Sequence, residues 1–309
     1  MTSTRVRIVV LLPLLWLLAC TTSEPRATTA EMPAPVTLLA QGAGAPLPSP
    51  FSGDENSLKF AVLGDFGTGD RMQYALANRM AAVHDQFPFE LVVLVGDNIY
   101  GSERPQDFVK KFETPYKPLL DRGVKFYASL GNHDAREQRF YKFFNMDGEL
   151  FYSFQAPRQS VRFFALESTY MEPEQVEWLD KALGSAGEDW KIVFQHHPLY
   201  SSGRTHGSDE RLRATLEPLL RKHGVSLVLT GHDHDYERIV LNGFPYFVNG
   251  LGGYTRYSFQ ATPVTGSEVR YNNDFGAMLV VADQVSITYQ FIAVDGIVVD
   301  TYLQSGGCP

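Results

Sequence analysis

The chain has 309 residues, 44 % apolar and 13 % aromatic, with 27 basic against 35 acidic side chains and a formal charge of -8. That apolar share can fill a sizeable packed core and excludes disorder of the whole chain. The acidic balance excludes non-specific wrapping of nucleic acid, because cations to neutralise phosphates are too few.

Arg5 and Arg7 precede an apolar run from Ile8 to Ala19. A charged start before a short apolar core fits a secretory signal, residues 1–19, rather than a membrane span of ~20 residues. The run closes in Leu17-Leu18-Ala19-Cys20, which resembles a bacterial lipoprotein box. This implies membrane attachment through lipid on Cys20. Thr21 is not the aspartate associated with inner-membrane retention, so the outer membrane is favoured. Ordinary cleavage, giving a soluble periplasmic or secreted protein, is the alternative. Residues 20–57 are rich in Thr, Ala, Pro, Gly and Ser and lack an apolar period, which predicts a disordered tether. Cys308 is the only other cysteine, so a lipid-bearing Cys20 leaves no internal disulfide.

From residue 58 to 309 short apolar runs alternate with helical periods, the pattern of a sheet covered by helices. Strands are predicted at Phe60–Leu63, Leu91–Val95, Phe126–Leu130, Ile192–Phe194 and Leu227–Leu229. Between them, Met72, Leu76, Met80 and Val83 share a helical face, as do Val176, Leu179 and Leu183, and then Leu212, Leu216, Leu219 and Leu220. Pro218 predicts a kink or split in the last of these helices. Beyond residue 240 the pattern turns to strands at Tyr246–Val248, Met278–Val281, Val285–Ala293 and Ile297–Leu303, with Asp295-Gly296 as a hairpin turn.

Each of the first five strands runs into a possible ligand: Gly64-Asp65, Gly96-Asp97, Gly131-Asn132, Gln195-His196 and Gly231-His232. In α/β sheets, ligands collect beyond the carboxyl ends of the strands. Asp65 and Asp97 are 32 residues apart and Asp97 and Asn132 are 35 apart, each close to one βαβ unit of roughly 30 residues. Oxygen donors mixed with imidazoles suit first-row metals, and there are enough of them for two ions sharing a carboxylate. Singly, such motifs are usually turns or structural histidines; in this order and at five strand ends, coincidence explains them poorly.

The chain reads Gly64-Asp65-Phe66-Gly67, Gly96-Asp97-Asn98-Ile99-Tyr100, Gly131-Asn132-His133-Asp134, Val193-Phe194-Gln195-His196 and Gly231-His232-Asp233-His234. This ordered set resembles the calcineurin-like metallophosphoesterases, and within them the purple acid phosphatases. The resemblance spans roughly residues 58–250 and implies a four-layer α/β/β/α sandwich of two mixed sheets. It further implies Fe(III) on Asp65, Tyr100 and His234, a divalent ion (Fe, Zn or Mn) on Asn132, His196 and His232, and Asp97 bridging the two. Tyr100 marks the purple acid phosphatase branch, because a phenol becomes a good ligand in mild acid only beside a strong Lewis acid. Phe66 stands where mammalian members often carry tryptophan, a change expected at the pocket wall.

The implied reaction is hydrolysis of phosphate monoesters by direct attack of metal-bound hydroxide, with His133 and His206 touching phosphate and protonating the leaving group. His206 sits on a polar, Gly-flanked loop and reads equally as a solvated loop residue. Phosphodiesters, nucleotides or pyrophosphate remain open as substrates of the same site. A non-catalytic surface lipoprotein is disfavoured by the complete ligand set. The partners expected are small phosphorylated substrates, with no nucleic acid and no protein. Asp134 is expected to orient an imidazole or cap its loop, His197 to hold its loop by a hydrogen bond, His84 and His223 to sit near helix ends, and Asp235-Tyr236-Glu237-Arg238 to be structural.

Overall fold

The computed structural model describes residues 55–187 and 190–306. The predicted signal, Cys20, most of the tether and Cys308 lie outside the described residues. No helix among the described residues is long and apolar enough to cross a membrane.

In chain order come β1 (Leu58–Leu63), α1 (Arg71–His84), β2 (Leu91–Val95), α2 (Pro105–Phe108), a π-helical turn (Val109–Glu113), α3 (Thr114–Leu120) and β3 (Lys125–Ser129). After a 3-10 turn (Arg136–Phe140) follow β4 (Tyr152–Gln155), β5 (Val161–Ala165), α4 (Pro173–Ser185), β6 (Trp190–Phe194), α5 (Glu210–Lys222) and β7 (Leu227–Thr230). The remainder is β8 (Tyr236–Leu241), β9 (Phe244–Asn249), β10 (Ser267–Tyr271), β11 (Gly276–Ala282), β12 (Ser286–Ala293) and β13 (Val298–Ser305).

The strands form two mixed sheets, one ordered β13-β12-β11-β1-β2-β3 and the other β10-β8-β9-β7-β6-β5-β4. In the first, β1, β2 and β3 are parallel and β11 to β13 antiparallel. In the second, β5, β6, β7 and β9 are parallel, flanked by antiparallel β4, β8 and β10. Parallel strands are covered on both faces, which is why β2 reads Leu-Val-Val-Leu-Val without alternation and is buried throughout.

The sheets pack face to face through aromatic contacts. Phe60 of β1 meets Phe163 of β5 edge-on at 5.2 Å, and Phe247 of β9 meets Tyr289 of β12 at 4.7 Å. Outside the first sheet, α1 buries Leu76, Ala77 and Met80. Outside the second, Leu179 and Leu183 of α4 and Leu212, Leu216 and Leu220 of α5 pack with Val193 and Val228. The result is the expected four-layer α/β/β/α sandwich.

Some expectations need correction. The helix expected to kink or split at Pro218 is not split there and runs from Glu210 to Lys222. Its leucines at i, i+4 bury one unbroken stripe, and the Asp209 carboxylate accepts from the N–H groups of Arg211 and Leu212 at 3.0 and 2.9 Å. Packing and capping together offset the hydrogen bond that proline cannot donate. Phe66 is wholly buried, packing edge-on against Tyr116 at 5.7 Å, so it belongs to the interior and not to a pocket wall. The strands β4, β5, β8 and β10 and the helical stretch Pro105–Leu120 add to those predicted.

A buried ion pair ties the two sheets together. Arg238 of β8 donates from Nε to Oδ2 of Asp300 in β13 at 2.7 Å and from a terminal nitrogen to Oδ1 at 3.2 Å. Tyr236 donates its hydroxyl to the same carboxylate at 2.9 Å, Glu268 pairs with Arg238 from the outer side, and the guanidinium lies 4.5 Å from the Tyr302 ring centre.

Candidate metal centre

All seven predicted ligands lie where parallel strands end. Asp65 follows β1, Asp97 and Tyr100 follow β2, Asn132 follows β3, His196 follows β6, and His232 and His234 follow β7. The first sheet thus supplies the oxygens and the second the imidazoles. Three of these residues hold left-handed backbone, with φ of 58° at Asp65, 51° at Asp97 and 71° at His232. Such non-glycine residues are uncommon and cluster at functional sites. The close approach of the chains is equally demanding: Gly96, at φ 91°, would place a Cβ 2.5 Å from Nδ1 of His196.

The side chains sort into two sets of three. In one, Nε2 of His234 lies 3.2 Å from the Tyr100 hydroxyl and 3.3 Å from Oδ1 of Asp65, and Tyr100 is 3.3 Å from the same Oδ1. In the other, Nε2 of His196 lies 3.1 Å from Oδ1 of Asn132 and 3.1 Å from Nδ1 of His232. Asp97 touches both. Its Oδ1 is 3.4 Å from Nε2 of His196, and its carboxylate lies within 4.8 Å of the ligand atoms of Asp65 and His234. Asp65 and His196 are fully buried and Asp97 is 1 % exposed, whereas Asn132, His133 and His206 are exposed at the mouth.

The donor chemistry fits metal ions. Nδ1 of His196 donates to the Val95 carbonyl at 3.0 Å, so Nε2 presents a lone pair into the site, toward the oxygens of Asn132 and Asp97, which offer lone pairs in return. Burial drives His232 far down and His234 down to about 4, which keeps both rings neutral and able to ligate. Burial pushes Asp65 well above the usual carboxylate range, and burial with Asp65 and Asp97 pushes the Tyr100 phenol far upward. A buried group of carboxylates, phenol and neutral imidazoles with converging lone pairs is what a cation would satisfy.

His133 lies at the mouth, its N–H donating to Oδ1 of Asp97 at 3.0 Å and its ring 5.0 Å from that of Tyr100. His206 stands by the second set of donors, its ring stacked on His232 at 3.9 Å. Asp134 caps loops and holds no imidazole. Its carboxylate accepts from the N–H groups of Asn98, Ile99 and Gly131 and from the side chains of Asn98 and Gln138. It thereby locks the Tyr100 loop to the Asn132 loop, while burial and Asp97 raise it to about 8. His197 bonds Ser168 at 2.9 Å, His84 bonds the Phe89 carbonyl at 3.1 Å, and His223 at the end of α5 pairs with Asp180 at 2.6 Å.

Sequence reasoning missed the segment after β9. There Thr255 sits 2.6 Å from Nδ1 of His234, Tyr257 stacks on that ring at 4.1 Å, and Tyr254 stacks on Tyr100 at 3.9 Å. Orientation of a ligating imidazole through its second nitrogen is a common arrangement at metal sites. The paired tyrosines in Gly252-Gly253-Tyr254-Thr255-Arg256-Tyr257 were the available signal.

Comparison with known proteins finds phosphatases among the similar sequences. Purple acid phosphatase 17 of Arabidopsis thaliana is 28 % identical over 248 residues, covering 68 % of this chain and 72 % of its own length. Human tartrate-resistant acid phosphatase type 5 is 27 % identical over 250 residues, covering 67 % and 77 %. Among solved structures, GAP50, the anchor in the inner membrane complex of Plasmodium, superposes with a TM-score of 0.73 at 21 % identity, covering 82 % of this chain and 90 % of its own. Purple acid phosphatase PPD1 from yellow lupin gives 0.65 at 20 %, covering 84 % and 57 %. At those identities the two structures speak for the fold. The model of the calcineurin-like phosphoesterases matches residues 58–236, more than half of the sequence and a span within which the seven candidate ligands fall, and the chain belongs to that family.

Proposed function

We propose that this phosphoesterase is an acid phosphatase acting on phosphate monoesters, with Fe(III) on Asp65, Tyr100 and His234, a divalent ion on Asn132, His196 and His232, and Asp97 shared between them. One observation carries the reading: seven donors from five loops sort into two sets of three with a carboxylate touching both. When bound, the ions supply Lewis acidity, which acidifies water and offsets the charge of the transferring phosphoryl group.

The chain's own residues supply the rest. Asp134 holds two ligand loops in register through its five donor groups. Thr255 fixes which nitrogen of His234 faces the site. His133, beside Tyr100, and His206, stacked on His232, bind phosphate oxygens and deliver a proton to the leaving group. The buried floor at Asp65, Asp97 and His196 keeps bulk water from the ligands on one side only, so esters of varied size can enter from the other. The body is exported and tethered through lipid on Cys20.

Tyr100→Phe tests the assignment. The wild-type chain is expected to bind two metals including iron and to show a purple absorption band, which the variant loses while the protein stays folded. A colourless wild-type protein holding only zinc, manganese or magnesium would return Tyr100 to a structural role. Diesters and nucleotides would then be assayed against an aryl monoester to place the substrate.

A further inference from the structure

Outside the candidate ligands, two buried carboxylates grip the loop that carries His206, and the geometry points to Asp233 as the positioning residue that presents His206 to substrate, with Glu237 anchoring the base of the same loop. This rests on the phosphoesterase reading and on His206 facing the substrate. Oδ2 of Asp233 accepts from the Ser201 hydroxyl at 2.6 Å and from the Gly207 N–H at 2.8 Å, and Oδ1 accepts from the His206 N–H at 3.2 Å. The Ser201 hydroxyl in turn accepts from the Gly203 N–H at 2.9 Å. Gly203 is required by this approach, since a Cβ there would stand 2.1 Å from Cγ of Asp233. Glu237 accepts from the Ser202 N–H and the Ser202 hydroxyl at 2.6 Å each, and from the Ser267 hydroxyl at 2.5 Å.

Both carboxylates are fully buried, and among the described residues neither pairs with a lysine or an arginine. The N–H and O–H groups that offset their desolvation come almost entirely from residues 201–207. Releasing that loop to solvent would leave Asp233 without a donor and Glu237 with the Ser267 hydroxyl alone, so the loop and the acids hold each other in place. The His206 ring itself makes no hydrogen bond to the described residues; it has ring contacts alone, stacked on His232 at 3.9 Å and tilted against Tyr257 at 5.7 Å. Its place over the site is therefore set through its backbone, and Asp233 is the group that holds that backbone. Two demands explain the acid between His232 and His234: the flanking histidines face the metals, and the residue between them faces the opposite loop.

The test is a double-mutant cycle on the full, metal-loaded chain, pairing Asp233→Asn with His206→Ala. The asparagine amide keeps the shape but only one acceptor oxygen, so either Ser201 and Gly207 or the His206 N–H loses its acceptor. With phenyl phosphate, each single variant is expected to lose about 10- to 100-fold in kcat, the range seen when a supporting hydrogen bond at a metal site is cut. The double variant should lose no more than the worse single, and metal content should stay at the wild-type level. Binding of inorganic phosphate, measured by calorimetry, should weaken non-additively in the same cycle. Multiplying effects, or metal lost in step with activity, would overturn the proposal. Wild-type protein that binds phosphate without hydrolysing esters would sink the phosphoesterase reading, and the binding cycle would still decide this one. Should Asp233→Asn fail to fold, Ser201→Ala takes its place and is expected to couple to His206→Ala in the same way.

Discussion

Asp97→Asn is expected to leave neither metal position filled and to lower kcat/KM at least 10³-fold, about 4 kcal/mol of transition-state stabilisation. The carboxylate is 1 % exposed, touches His196 from the second set, and closes a cluster with Asp65 and His234 from the first. Asparagine preserves its shape and can still accept from the His133 N–H, seen at 3.0 Å. What it removes is one negative charge between two cations and the second oxygen able to bind one. Elemental analysis and steady-state kinetics on the same preparation check the expectation. A variant that keeps two metals per chain would show that Asp97 serves one ion alone.

Arg238→Ala is expected to cost about 3–5 kcal/mol of stability, because it strands a buried carboxylate. Asp300 is 7 % exposed and would keep only the Tyr236 hydroxyl. At roughly 2–4 °C per kcal/mol for a domain of this size, the melting temperature should fall by about 10 °C, measurable by calorimetry. The pair Arg238→Met with Asp300→Leu should lose much less, since both charges leave together. An equal loss in the double variant would locate the effect in packing on Tyr302 rather than in the ion pair.

The contrast between β2 and β8 explains how much of the fold was legible. Leu91–Val95 is apolar at every position and was read directly, because a strand covered on both faces must be so. Tyr236–Leu241 opens Tyr-Glu-Arg with all three side chains buried, so charges in its first half mask the apolar Ile239-Val240-Leu241 that follows. Its charges are satisfied by Asp300, Glu268, Ser202 and Ser267, partners that only the folded chain assembles. β4 was missed because it is a four-residue strand at a sheet edge, half-buried and too short for its alternation to stand out. Pro218 misled because a local rule lost to the leucine stripe around it.

In the site, the ligands were legible because each follows a glycine or a strand end in a fixed order. The residues that orient them were not. Thr255 and Tyr254 come from a loop outside the five ligand motifs, and Asp233, read only as part of Gly231–His234, gains a role from its partners in residues 201–207. Ligand identity is written in local sequence, whereas orientation depends on contacts between distant loops.

Neither set of three donors belongs to one sheet. Asp65 and Tyr100 reach His234 across the interface, and Asn132 reaches His196 and His232 in the same way. An ion in either position is therefore a clasp between the two halves of the sandwich, and no half folded alone offers a full coordination set. Metal capture is then a late step that follows docking of the sheets, and binding to the docked state alone holds them together. Stripping the metals is then expected to loosen the grip of one sheet on the other before it disturbs either sheet within itself.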